Sequence, residues 1–101
     1  MNTEYNYTYQ QAVEDGILAE VFKNRWNELT GGAPLLATAH IFNEFSLAAF
    51  QEMWNEFVAW RKTVKPTLPE ADQMFTTKMN SQTVWLIEDG ATFTFMFPED
   101  Y

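Results

Sequence analysis

The sequence predicts an α+β fold: a small, mainly antiparallel sheet with a C-terminal hairpin, covered by one long helix and two or three short ones. Three observations carry this. Ser46 to Val64 has apolar residues at helical spacing, an apolar alternation flanks Asp89-Gly90 as in a hairpin, and a short apolar run follows Gly16. The 101 residues suit a single domain spanning 1–101, with no internal repeat or linker to divide it.

Thr8-x-x-Gln11 fits a capping box for a short helix over Gln10–Asp15, which Gly16 stops. Ile17–Phe22 reads as a strand with Ile17, Ala19 and Val21 on one face and Leu18 and Phe22 on the other. One charge in six positions predicts that this strand is internal or covered on both faces. Phe22, Trp26 and Leu29 fall at i, i+4 and i+7, so a helix over Asn24–Thr30 aligns them, ended by Gly31-Gly32. Leu35–Ala37 is a short strand candidate, and Thr38 caps a helix through Ala39 to Phe45. Whether 39–64 is one helix or two is left open by the sequence.

The long helix is the strongest signal. Leu47, Phe50, Trp54, Phe57 and Arg61 form one row, Met53, Phe57, Trp60 and Val64 an adjoining one, and Arg61, Lys62 and Lys65 sit where cations oppose the helix dipole. Lys65 to Met79 reads as a loop with one turn around Glu70–Phe75. Val84–Glu88 and Ala91–Phe97 then form a hairpin about Asp89-Gly90, a dipeptide favoured in type I′ turns. That turn predicts Leu86 opposite Phe93 and Val84 opposite Phe95. Val84, Leu86, Phe93, Phe95 and Phe97 share the core face, and Trp85, Ile87, Thr92, Thr94 and Met96 share the other. Pro98 ends the sheet, leaving Glu99, Asp100 and Tyr101 as an acidic tip.

Fourteen acids against six Lys+Arg give a net charge of -8. This argues against direct nucleic-acid binding and against adhesion to anionic lipid, both of which need clustered basic side chains. Without cysteine there is no disulfide, thiolate metal site or thiol nucleophile. The polar start MNTEYNYTYQQ is not that of a secretory leader and no run is long enough for a membrane span, so a cytoplasmic location is expected. His40 and Glu44 stand one helical turn apart, which is too few ligands for a metal site. No GxSxG, Walker loop, GxGxxG or calcium loop is present. The reading is therefore a non-enzyme with no cofactor.

The charge is uneven. Residues 1–20 carry four acids and no base, residues 66–101 carry six acids against Lys78, and residues 21–65 are close to neutral. If the N-terminal segment lies beside the hairpin, one surface is strongly negative and steers basic partners. The candidate partner-binding residues are Glu14, Asp15, Trp85, Ile87, Glu88, Asp89, Met96, Glu99 and Asp100. The expected partner is a protein, of basic character. A homodimer paired through Trp85, Ile87 and Met96 is the alternative.

Three segments, Tyr7–Val21 (YTYQQAVEDGILAEV), Pro34–Phe42 (PLLATAHIF) and Asp89–Asp100 (DGATFTFMFPED), resemble a domain-of-unknown-function family of small phage- and plasmid-borne bacterial proteins. Relatives there have a longer, more basic region before the last hairpin. The resemblance implies a mobile-element gene in a bacterial cytoplasm, a setting in which small acidic proteins often act by stoichiometric binding as inhibitors of host defence or as regulators. The acidic surface adds the expected target, a basic nucleic-acid-handling host protein whose site it occupies by imitating phosphate charge. The resemblance transfers no catalytic or cofactor residue.

Overall fold

The structure, a computed structural model, describes residues 7–101; residues 1–6, with Glu4 of the acidic N-terminal stretch, lie outside the described residues. Side-chain caps start three of the four α-helices among the described residues. Thr8 Oγ1 accepts from the Gln11 amide and Gln11 Oε1 from the Thr8 amide, starting α1 (Tyr9–Glu14), and Gly16 at φ +78° ends that segment. The run after it is a shorter strand than predicted, β1 (Leu18–Glu20). Phe22 does not extend it, because it turns into the left-handed region at φ +54° and opens a single 3-10 turn over Lys23–Arg25. α2 (Trp26–Thr30) follows and ends at Gly31, as its left-handed φ of +76° requires.

β2 (Leu35–Thr38) leads into α3 (Ala39–Phe42), where Thr38 Oγ1 caps the Ile41 amide. Ser46 caps a separate helix, α4 (Leu47–Thr63), so residues 39–64 form two helices. The first ends at Phe42, three residues before the predicted end.

The region expected to be a loop holds a strand. After 3-10 turns at Lys65–Thr67 and Glu70–Asp72, β3 (Phe75–Met79) pairs antiparallel with β4 (Gln82–Asp89). Their two-residue connection is Asn80-Ser81, both at positive φ (+54° and +69°), the pattern of a type I′ turn. β5 (Thr92–Met96) pairs with β4 through a turn centred on Gly90-Ala91. Only Gly90 there has positive φ, as in a type II′ turn, so the predicted register is corrected by two residues: Leu86 faces Phe95 and Glu88 faces Phe93. A slip of two preserves the side-chain alternation, which is why the core face survives the correction.

The described residues form one sheet in the order β1-β2-β5-β4-β3, antiparallel except for β2 beside β5. β1 is consequently an edge strand, not an internal one. Its apolar run is explained instead by Val21, which lies fully buried just past its end, and by Leu18, half-buried under α1. On one face of the sheet, Leu35, Ala37, Phe75, Val84, Leu86, Phe93 and Phe95 meet Phe50, Met53, Trp54 and Phe57 of α4. The contacts are ring on ring: Phe50–Phe95 at 5.2 Å, Trp54–Phe93 at 5.3 Å and Phe57–Phe75 at 5.5 Å between centroids, most of them edge-on. Each such ring contributes roughly 1.5–3 kcal/mol by leaving water, and the edge-on geometry adds about 0.5–1.5 kcal/mol per pair. The aromatic richness of the sequence is thus mainly core.

Candidate protein-interaction surface

Strand alternation sends Trp85, Ile87, Thr92, Thr94 and Met96 to the sheet face away from α4. All five are half-buried, and Thr76 and Lys78 of β3 extend the face as exposed positions. At the β1 end, α1 closes over it. A groove of about 440 Å³ runs there between Tyr7, Tyr9 and Ala12 on one side and Leu36, Thr92 and Thr94 on the other, with Asp89 at its rim. Asp15 is exposed beside this groove and accepts a 2.6 Å hydrogen bond from the Tyr7 hydroxyl. Glu14 is exposed next to it.

Two of the acidic candidates are engaged inside the fold. Glu88 faces Phe93 on the α4 side of the sheet, where Arg61 and Lys65 both pair with its carboxylate. Arg61 also lies over the Phe93 ring, so this corner is held by charge and by ring contact together. Asp100 is not part of a solvated tip. The Pro98–Asp100 turn folds it back, and its Oδ2 accepts from Thr38 Oγ1 at 2.9 Å and from the Phe97 amide at 3.2 Å, while Oδ1 meets His40 Nδ1 at 3.1 Å. Glu99 alone of that turn's acids stays exposed.

The same folding-back carries Tyr101 across the sheet end to an edge-on contact with Trp85 at 5.9 Å. The terminal ring itself remains 84% exposed. Its position was not readable from the chain, because nothing local distinguishes a ring that returns to the sheet from one that continues into solvent.

The His40–Asp100 contact perturbs both groups. The hydrogen bond to Asp100 raises the His40 pKa above its ordinary value, helped by the charges of Asp100, Glu99 and Glu44 against a smaller opposing effect of desolvation. For Asp100, burial pushes the carboxyl upward, but hydrogen bonds from His40, Thr38 and the Phe97 amide outweigh it and hold the group below its ordinary value. The arrangement orients an exposed imidazole and ties α3 to the C-terminal turn. Among the described residues, no three His, Asp or Glu side chains are placed to share a metal ion.

The surface charge is lopsided. Glu14, Asp15, Glu44, Glu52, Glu56, Glu70, Asp72, Asp89 and Glu99 are exposed and have no ion-pair partner among the described residues. Of the cations, Lys23, Arg25, Arg61 and Lys65 are taken up by Glu20, Glu28 and Glu88. The Arg25 contact, a hydrogen bond reinforced by charge, holds Glu28 below its ordinary pKa. No helix among the described residues is long and apolar enough to cross a membrane. No family model, curated protein or solved structure matches this chain.

Proposed function

We propose that this chain is a non-enzymatic protein-binding domain of mobile-element origin that works in the cytoplasm by occupying a basic, nucleic-acid-handling protein. One observation carries the reading: the fold uses most of its cations in internal ion pairs and leaves most of its carboxylates without an ion-pair partner among the described residues. A half-apolar sheet face, with Trp85, Ile87 and Met96 between Asp89 and the C-terminal turn, supplies the desolvated centre that such an interface needs. Acidic surroundings supply steering toward a positive partner. The resemblance to phage- and plasmid-borne proteins supports stoichiometric action.

The test is capture from a bacterial lysate on immobilised protein. A specific protein should bind at low salt and elute as ionic strength rises to about 0.5 M, where surface charges are screened within a few ångströms. The combined variant Glu14→Lys, Asp15→Lys, Asp89→Lys should lose it. Capture indifferent to both salt and charge reversal removes the electrostatic basis of the reading. Light scattering on the same sample decides the other use of this face, a pairing of two copies through Trp85, Ile87 and Met96.

A further inference from the structure

Among the described residues the sheet has three stretches of unpaired edge, and they are not equivalent. β1 is three residues long with Glu20 on it, and the outer edge of β3 carries the exposed Lys78; short length and edge charge are the usual protection against strand addition. The third stretch lies at the end of β4. β3 begins at Phe75, opposite Leu86, so β4 runs on past it through Ile87, Glu88 and Asp89 with no paired strand on that side among the described residues.

Backbone alternation identifies the free groups. The Asp89–Thr92 pair closes the two-residue turn, so Asp89, Ile87 and Trp85 direct their N–H and C=O toward β5. The Phe93 amide agrees with this phase, since it donates the other way, to Pro34 O at 3.0 Å. Glu88 therefore points its N–H and C=O outward, into the lane that β3 does not fill. The ladder phase turns both groups away from β5, and outside the sheet ladders neither has a backbone partner among the described residues.

The lane is kept open by a specific contact. Gln73 Nε2 donates to Lys65 O at 3.2 Å and to Leu68 O at 3.0 Å, which ties the chain before β3 to the end of α4 rather than to β4. What results is a cleft of about 480 Å³ at the free edge, walled by Phe57, Trp60, Met74 and Ile87 and reached by Tyr101. Its one cation, Lys65, is neutralised by Glu88. Just before the wall, Glu70 and Asp72 stand exposed and unpaired among the described residues.

We propose that this cleft binds an extended peptide segment of a partner protein by strand addition to β4. Glu88 N–H donates to a peptide carbonyl and Glu88 C=O accepts from a peptide amide. A large apolar side chain of the peptide enters between Trp60 and Met74 on the α4 side, and the residue next to it lies beside Ile87 on the other face. Lys or Arg residues flanking that side chain face Glu70 and Asp72. The proposal rests on the reading of the chain as a binder of basic proteins and adds a second contact for that partner, at the β4 edge beside the Trp85 face, and the conformation in which it binds there. A second copy of this chain is a poor occupant by charge, at -8 against -8.

The probe is the peptide acetyl-KKTVFVTKK-amide, titrated into the full chain and followed by amide exchange and chemical shifts. Binding should slow exchange of the Glu88 amide at least about tenfold, and replacing the peptide's Phe by Ser should weaken binding about tenfold, a single buried ring's worth. Glu88→Pro removes the outward donor at a position where proline leaves the β4–β5 ladder intact, and it should weaken binding about tenfold. Glu88→Ala keeps the donor while losing the ion pairs, and should bind within about threefold of the parent. If Glu88→Pro fails to fold, exchange at Glu88 in the parent chain decides alone. The proposal is overturned by absence of binding at about 1 mM, the weak limit of specific recognition. It is overturned equally by binding that leaves Glu88 exchange unchanged, or by Glu88 protection that grows with protein concentration in the absence of peptide. Should Glu88→Pro, folded, still capture a lysate protein through the Trp85 face in a salt-sensitive way, strand addition falls while the broader reading of a basic partner stands.

Discussion

The two faces of the sheet are built from the same strands and behave as different materials. Along β5, Phe93 and Phe95 turn into the α4 side and are almost fully buried, whereas Thr92, Thr94 and Met96, their immediate neighbours, remain half-exposed. Ring contacts bind the first face to α4, whereas the second is covered by α1 only at the β1 end and is touched at the other by the Tyr101 ring. One face holds the fold together. The other is left available by it.

The sharpest way to break this comparison is to truncate neighbours on one strand. Phe95→Ala empties the middle of the ring stack and should cost about 3–5 kcal/mol, read as a loss of the cooperative thermal transition or a large fall in its midpoint. Met96→Ala, one residue on and on the opposite face, should cost about 1 kcal/mol or less. Equal losses would mean that the open face is structural after all. A smaller effect is expected at a turn: Gly31→Ala forces a side chain into a left-handed φ of +76° and should cost about 1 kcal/mol in a denaturant titration, without altering either face.

Smaller still is the Arg61–Glu88–Lys65 corner. Both cations are partly exposed, so Glu88→Gln should lower stability by no more than about 1 kcal/mol, and less at high salt. The smallest effect is the pH response of the His40–Asp100 contact. His40 is raised by folding, so its contribution is complete below its ordinary pKa and is lost as pH rises through the folded value. Asp100 is lowered, so its contribution is complete above its ordinary pKa and is lost as pH falls through the folded value. The contact is strongest between the two ordinary values, and the difference in melting midpoint between the parent and His40→Ala should peak in that mildly acidic window. A difference that is flat with pH would show that the contact is not an ion pair in solution.

Much of the core face was legible from the chain because alternation and helical spacing are local properties. Phe50, Met53, Trp54 and Phe57 are buried where their spacing put them, and so are Val84, Leu86, Phe93 and Phe95. The failures are of two kinds. β3 was hidden because an edge strand need bury only one large side chain, here Phe75, and its Thr76-Thr77-Lys78 centre reads as polar loop. The hairpin register was missed because Asp89-Gly90 and Gly90-Ala91 are both acceptable turns, and cross-strand packing, not turn preference, selects between them. At the candidate surface, Trp85, Ile87 and Met96 share a face as alternation requires, and Asp89 and Glu99 are exposed. The internal partners of Glu88 and Asp100 were not legible, because Arg61 and His40 are 27 and 60 residues away in sequence. The β4 cleft gave no signal, since it exists only where one strand starts later than its neighbour.

The parallel pairing of β2 with β5 bears on how the chain assembles. β3, β4 and β5 form a meander whose turns are two residues long, and such local pairings close within microseconds. Leu35 must instead find Phe93 across the stretch that holds α3, α4, β3 and β4, a closure with a larger entropic cost than either two-residue turn. The meander and α4 should thus form the nucleus, with α1, β1 and β2 added last. The N-terminal third would then be the part that opens first when the native state fluctuates.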